Sequence, residues 1–474
     1  MRKRLLGTIA AVATSAGVAL AQSPPPPTAV GSVGVPYPNQ GQLKAYPDPI
    51  PPPVPGMAPY GPDPATGLEF PGGPSPYPDI PYGLHGQENW GHVPPPGLAL
   101  RRIAPRVWTY ADYGLWFAKS QPTPVFPLVV TSAPADGGLL GRPTTTELHP
   151  RSSDLGYNLF SAFKVGGGFF RDDARRFGFE ANGFLTEQKS NIFYIASDMT
   201  GQPLLARPFV NPVTGTTDAL LASFPTFASG SMLVYTSTQA WGADGGGLLN
   251  IYRSCPTDSI GVSFNLNGGF RFLEVNEEFR IAQRSMLRNG FTAPFDGKLY
   301  ASPAAIEVQD HFRTENRFYG GQMGFSTDIR GGRWVFALTS KIALGVMNEV
   351  ITIQGQSNLN DPVRGIAAQV IGGLYANQTN IGRYRNDEFA VIPEVNTSLG
   401  YAWTSWLDTS IGYNFLYVSR LARPGRQFSP VVNPAVVPTS PTYGFGTAAT
   451  VPNPLFTQDD YWLQGVNFGV NIRY

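Results

Sequence analysis

The chain has 474 residues, of which only 14% are charged, and its formal net charge is +1. An average soluble domain has about 25% charged residues, so this chain is poor in charge for a cytosolic protein. A net charge so close to zero gives no basis for binding nucleic acid. Because Cys255 is the single cysteine, an internal disulfide framework and a cysteine-rich metal site are excluded. Neither a GxxxxGKS nor an HExxH motif occurs, and we expect no metal and no cofactor.

The first 21 residues have the features of a secretory signal peptide. Three basic residues at positions 2–4 precede an apolar stretch over residues 5–20. The segment ends in Ala-Leu-Ala, which fits an A-x-A cleavage site, so we expect residues 1–21 to be removed. After this segment we find no apolar run long enough to form a transmembrane helix.

Residues 22–100 form a spacer dominated by proline, glycine, tyrosine and aspartate. Proline lacks a backbone donor and fixes φ, so neither a helix nor a central strand is expected there. We predict a disordered periplasmic tether that is extended and partly polyproline II. The alternative is an arm that contacts the cell wall or another partner through the tyrosines between its prolines.

From residue 106 onward the dominant pattern is alternation of apolar and polar residues, which is typical of β-strands. The last strand shows it clearly, since Val466, Phe468 and Val470 alternate with Asn467 and Gly469. The pattern predicts ten strands, at about residues 106–119, 156–170, 176–189, 231–252, 260–282, 310–329, 333–355, 388–404, 406–420 and 459–474.

The connections between these strands alternate in length. Short turns follow the second, fourth, sixth and eighth strands, and long loops follow the others. An even strand number, short periplasmic turns and long outer loops are typical of a transmembrane β-barrel. We therefore predict an all-β fold over residues 101–474, an antiparallel barrel of about ten strands in the outer membrane. Twelve strands are an alternative, since residues 190–197 and the region around Gly245 fit a strand less clearly.

Aromatic residues cluster near the predicted strand ends, where a membrane protein meets lipid headgroups. An aromatic residue also ends the last strand, as in strands that the barrel assembly machinery recognises. We expect outer-membrane lipid and that machinery as partners. The predicted aromatic girdle consists of Trp108, Trp334, Trp403, Trp406, Tyr417, Tyr461, Trp462 and Tyr474.

Several segments resemble the putative beta-barrel porin family of planctomycete-type outer-membrane proteins. The resemblance covers about residues 106–474 and implies an outer-membrane barrel. It brings no catalytic residue and no ligand. The segments that carry it are Asn316–Gly324, Ala343–Gly345, Phe389–Glu394, Gly412–Ser419 followed by Arg423–Gly425, and Trp462–Gly469.

The polar side of the alternating strands is predicted to line the lumen. Both signs of charge occur in similar number, and buried charges need partners, so we expect a salt-bridge network across the lumen. Barrels of about eight strands are filled by side chains and water-filled pores need about sixteen, so ten strands leave a narrow path at most. The predicted lumen residues are Asp112, Lys164, Glu180, Arg271, Lys341, Glu349, Glu394 and Asp408.

Three functions are compatible with this barrel. The first is a narrow porin for passive passage of small solutes, with its selectivity set by lumen charges. The second is a plugged barrel with a structural or surface-interaction role through its long loops. The third is a hydrolase at the outer rim, where Asp310 and His311 would face Asp387 and activate a water. Charged rims are usually only solvated, and we predict no enzyme activity.

Overall fold

The computed structural model describes residues 106–122, 124–150, 155–255, 259–445 and 450–473. The predicted signal peptide and spacer lie outside these residues, and so does Tyr474. In the described part, the secondary structure consists of β-strands and three 3-10 helices of three residues each. Those residues include no helix that is long and apolar enough to cross a membrane.

The strands are numbered here along the chain. They are β1 (Val107–Ala118), β2 (Val129–Thr131), β3 (Thr146–His149), β4 (Phe160–Phe170), β5 (Phe177–Thr186), β6 (Lys189–Ala196), β7 (Leu205–Asn211), β8 (Thr216–Ser223), β9 (Ala228–Arg253), β10 (Ile260–Leu287), β11 (Thr292–Phe295), β12 (Lys298–Ala301), β13 (Ala305–Gly331), β14 (Trp334–Asp361), β15 (Ile366–Ile371), β16 (Gly382–Ala402), β17 (Leu407–Ala422) and β18 (Gln458–Arg473). The 3-10 helices cover Pro134–Asp136, Pro424–Arg426 and Pro434–Val436.

Ten of these strands form a closed antiparallel ring, which confirms the predicted barrel. Their order is β10, β13, β14, β16, β17, β18, β1, β4, β5, β9, and β9 pairs with β10 to close the ring. Strands β6 and β15 pair with β9 and β14 outside the ring. The uncertain segment 190–197 corresponds to β6, and the region around Gly245 lies within β9. Each predicted strand corresponds to one ring strand.

The ring strands differ greatly in length. β10 and β14 have 28 residues each, whereas β4 and β5 have 11 and 10. The short connections from β4 to β5, β9 to β10, β13 to β14 and β16 to β17 lie at one end of the barrel, called here the short-turn end. The long strands continue past the short ones toward the opposite, long-loop end. They form there a curved wall that extends beyond the complete ring.

The long loops fold against the inner face of this wall and form a cap, defined here as the described residues of 120–159, 197–227, 372–381 and 423–457. The cap contains the four-stranded sheet of β3, β2, β7 and β8. Apolar residues of the cap and wall pack in one core, so the loops are folded rather than loose. This core includes Leu128, Leu205, Phe209, Phe279, Phe312, Ile351, Tyr375 and Phe428.

The outer wall of the ring carries a band of exposed apolar side chains. Phe389 is 60% exposed, and its register neighbours Val346 and Tyr319 are 48% and 46% exposed. The outward positions between this row and Trp334, at the short-turn end of β14, carry no charged side chain on the described ring strands. An uncharged apolar belt is the surface that hydrocarbon requires.

β17 leaves the wall before it ends. Its pairing with β16 stops at the pair of Glu394 and Leu416. The next residue of β16 toward the long loops is Pro393, which has no backbone N–H to donate. The last residues of β17 turn into the lumen, where Asn316 of β13 donates to the Ala422 carbonyl and accepts from the Ala422 N–H, both at 2.9 Å. The chain then enters the cap at Arg423.

Candidate functional site

The lumen contains a cavity of about 230 Å³ in the half next to the short turns. All eight predicted lumen residues lie at inward positions of their strands. Glu349 and Asp408 do not line this cavity. The other six do, and they are Asp112, Lys164, Glu180, Arg271, Lys341 and Glu394.

A network of paired charges lies in this cavity. The Lys341 Nζ atom is 2.8 Å from both Glu180 Oε1 and Asp244 Oδ1. The Arg271 guanidinium contacts Glu394 and lies 3.5 Å from Asp244. These side chains are at most 14% exposed, so each charge is compensated by a neighbour rather than by bulk water.

Asp244 connects the two cations, although the alternation did not predict it. A run of glycines at 245–247 follows it in β9 and hides the alternation on that strand. Its register partner Arg271 was predicted to face the lumen, and a residue opposite an inward one on the neighbouring strand also faces inward. The inward direction of Asp244 could therefore be inferred from its pairing with Arg271, but not from the pattern of β9 alone.

Inward glycines make room for aromatic rings in the same cavity. A Cβ atom built on Gly166 would meet the Tyr110 ring at 2.7 Å, and one built on Gly168 would overlap the Trp108 ring. Trp108 was predicted as a girdle residue, and this is wrong. It shares the inward parity of Asp112 on β1 and lines the lumen.

The remaining girdle residues divide between the two faces of the wall. Trp334, Trp403 and Trp406 are 54%, 57% and 41% exposed at the short-turn end. Tyr417 and Trp462 pair with each other near the long-loop end and lie at outward positions. The prediction for Tyr461 is wrong, because this side chain is 1% exposed and faces the lumen with Leu463.

A layer of apolar side chains crosses the lumen beyond the charged cavity. On β10 it follows Arg271, and on β14 it follows Lys341, in the direction of the long loops. Nine of the ring strands contribute residues that are no more than 4% exposed, and Phe184 of β5 packs against them. This apolar layer consists of Trp116, Phe160, Ala240, Leu273, Phe318, Met347, Ile392, Leu416 and Leu463.

A fully buried ion pair lies directly above the apolar layer. Arg423 donates through Nε and Nη2 to the two carboxylate oxygens of Glu277, at 2.8 and 2.7 Å. Its Nη1 atom donates to the Ser120 carbonyl at 2.8 Å, so this arginine ties two cap segments to β10. Both partners of the pair are 0% exposed.

A family model described as Putative beta barrel porin-7 (BBP7) matches residues 108–474. The chain belongs to this family. The match spans the ring from β1 to β18, so this BBP7 protein is a porin-like barrel of the outer membrane. It also confirms the family resemblance that the sequence motifs indicated.

Some outer-membrane proteins of known structure are weakly similar to the BBP7 chain. The outer membrane protease OmpT from Escherichia coli is 10% identical, with a TM-score of 0.30 over 78% of this chain and 96% of that one. The P. putida toluene transporter TodX is 8% identical, with a TM-score of 0.19 over 79% and 91%. None of the curated proteins compared with the chain matches it. Similarity this weak carries no information about activity.

The remaining two lumen candidates of the BBP7 barrel lie near its ends. Asp408 pairs with Arg473 at 3.0 Å at the short-turn end. Glu349 lies beyond the apolar band, on the cap side of Met347, where burial raises its pKa to about 7. Gln458 donates to the Glu349 carboxylate at 3.4 Å.

The predicted hydrolase site does not assemble. Asp310 and His311 are neighbours on β13, so their side chains point to opposite faces of the wall. Asp310 is buried in the cap, where it contacts Arg207 and accepts from the Tyr375 N–H at 2.9 Å. His311 lies outside and its Nε2 atom is 3.0 Å from Glu278. A porin family also suggests a protein that is not an enzyme.

Proposed function

We propose that this BBP7 barrel is closed and anchors a folded cap in the outer membrane, in a structural or surface-interaction role. The observation that supports this is the apolar layer, because nearly every ring strand contributes a buried side chain to it. Ions and polar solutes need a wetted path through a barrel. Side chains that are at most 4% exposed offer no such path.

The difference in loop length gives the orientation in this proposal. Outer-membrane barrels have short periplasmic turns and long extracellular loops. The cap then lies at the cell surface, and the charged cavity opens toward the periplasm. The buried pair of Arg423 and Glu277 holds the cap to the barrel wall. A folded cap on a barrel with a filled lumen is suited to presenting a surface to partners. It is less suited to letting solutes diffuse through the lumen.

Passive passage of small solutes is the second candidate. The family description and the charged cavity favour it, since Lys341, Arg271 and Glu394 would give a path its ion selectivity. In this function the apolar layer would have to move aside during conduction.

Single-channel recording in planar bilayers separates the two functions. We expect silence from the reconstituted mature protein, with insertion checked by the migration of the folded band in electrophoresis. Stable ohmic steps would contradict the closed barrel and support the porin. In that event, a reversal of ion selectivity in Lys341→Glu would place Lys341 on the conduction path, and unchanged selectivity would remove it.

A further inference from the structure

Three arginines pair with one glutamate on the outer wall, toward the long-loop end, and a fourth lies in the same register row. Glu315 of β13 lies 3.2 Å from Arg313, 3.2 Å from Arg317 and 3.8 Å from Arg383 of β16. Arg385, in the register row of Glu315, is exposed and makes no hydrogen bond or ion pair with the residues that the structure describes. These four arginines are called here the arginine cluster.

The arginine cluster has an excess of positive charge. The strand between its two halves, β14, places the neutral residues Val350 and Thr352 outward beside it. On the neighbouring strand β10, Glu274 pairs with Arg317 at 3.3 Å and Glu278 pairs with Arg280 and His311. On β16, the exposed Asp387 lies between Arg385 and the apolar band, and its carboxylate accepts a hydrogen bond from Asn348 at 2.6 Å. On β13, β14 and β16, the two register rows farther from the apolar band hold three guanidiniums, those of Arg313, Arg383 and Arg385, and the single carboxylate of Glu315.

The arginine cluster lies at the edge of the apolar band. On β13, Arg317 is two residues from exposed Tyr319, and on β16 the exposed Phe389 is four residues from Arg385. With the band in hydrocarbon, guanidiniums at this edge are at the level of lipid headgroups. Arginine binds phosphate with two parallel hydrogen bonds, and its charge is weakly hydrated.

We propose that the arginine cluster binds the phosphate of an anionic lipid in the leaflet at the long-loop end. The acyl chains of that lipid lie along Tyr319, Val346 and Phe389. Arg383 and Arg385 are the main phosphate contacts. Arg383 is 53% exposed and its one ion pair is 3.8 Å long, and Arg385 has no ion pair within the described part of the chain. A free phosphate ion would gain nothing from the apolar band, so the occupant is a lipid.

Native mass spectrometry tests this on the mature protein in neutral detergent micelles with added phosphatidic acid or phosphatidylcholine. The variant R383Q/R385Q is compared with R284Q/R288Q, which removes the same charge at the far end of β10. We expect the wild type and R284Q/R288Q to retain phosphatidic acid in preference to phosphatidylcholine. R383Q/R385Q should bind phosphatidic acid about tenfold more weakly.

Three results would overturn the proposal. They are equal weakening in both double variants, equal retention of the two lipids by the wild type, and release of phosphatidic acid by excess inorganic phosphate. The last would assign the cluster to a free anion. The single variant R385Q keeps the test valid if the double variant folds poorly, because Arg385 is exposed and makes no hydrogen bond or ion pair with the described residues.

Discussion

Arg423 carries a charge at a position that water does not reach. Replacing it with methionine leaves the Glu277 carboxylate buried without its cation, and we expect a loss of about 3–5 kcal/mol in the free energy of unfolding. The measurement is urea unfolding in lipid vesicles, followed by tryptophan fluorescence. The double variant Glu277→Leu/Arg423→Met removes both charges and should recover most of the loss.

Arg426 provides the matched control three residues later. Its Nε atom is 3.4 Å from Asp459, but its side chain is 41% exposed. We expect Arg426→Met to change the free energy of unfolding by no more than about 1 kcal/mol. Equal losses in Arg423→Met and Arg426→Met would show that burial of the Arg423 pair has no special effect.

The lumen residues show how far single positions can be read from sequence. Alternation within one strand identifies the inward positions of Lys341 and Glu394, because side-chain direction in a strand has a period of two. The same rule, applied strictly, would have placed Tyr461 beside Leu463 rather than in the girdle. The Arg423–Glu277 pair joins residues 146 positions apart, and no local pattern contains that contact.

At the level of single elements, the paired glycines Gly246 and Gly269 set the spacing of β9 and β10. A Cβ atom built on Gly269 would overlap the Gly245 carbonyl oxygen and the Gly246 Cα atom. We therefore expect Gly269→Ala to destabilise the barrel by about 1–3 kcal/mol, because two paired strands would have to separate locally. Loss of the folded band with temperature, followed by electrophoresis, measures this.

Gly268 is the control for this strand pair. It faces outward, and a Cβ atom there would lie 3.8 Å from the nearest atom, the Gln322 carbonyl oxygen, which is an ordinary contact. Gly268→Ala should leave the melting temperature of the folded band unchanged or slightly higher, since alanine suits a strand better than glycine. A loss as large as that of Gly269→Ala would mean that close strand approach is not the cause.

Strand existence was easier to predict than strand length. The alternation indicated β10 as far as residue 282, and the strand continues to Leu287. Beyond the membrane the wall has water outside and the cap inside, so apolar side chains such as Phe279 and Ile281 face inward. The alternation there has the opposite phase to that within the membrane. The cap strands β2, β3, β7 and β8 are short and lie in loops, where contacts with distant segments decide the structure.

For the whole molecule, the low content of charge follows from the architecture. The apolar band on the outer wall is uncharged, and the apolar layer excludes charge from the middle of the lumen. The charges of the described residues lie in the cavity, in buried pairs of the cap, beyond the edges of the apolar band and in exposed turns such as that of Asp173. The barrel fold was predictable because lipid imposes a repeating pattern. The cap was not predictable, because it depends on how the long loops fold back against the wall, which no repeat encodes. The apolar layer consists of inward residues of the ring strands, where alternation predicts polar side chains.

The single cysteine allows a test of how the whole barrel is oriented. Cys255 is exposed in the turn between β9 and β10, at the short-turn end. We expect a membrane-impermeant maleimide to leave Cys255 unlabelled in intact cells and to label it once the outer membrane is permeabilised. Met199, which is 88% exposed in the loop after β6, marks the long-loop end of the barrel.

The control is Met199→Cys in a Cys255→Ser background, which should be labelled in intact cells without permeabilisation. Labelling of Cys255 but not of the introduced cysteine would mean that the cap faces the periplasm. The closed barrel would then hold its cap on the cell-wall side, and its charged cavity would open to the cell exterior. Labelling therefore decides which compartment the cap meets, whether or not the lumen conducts.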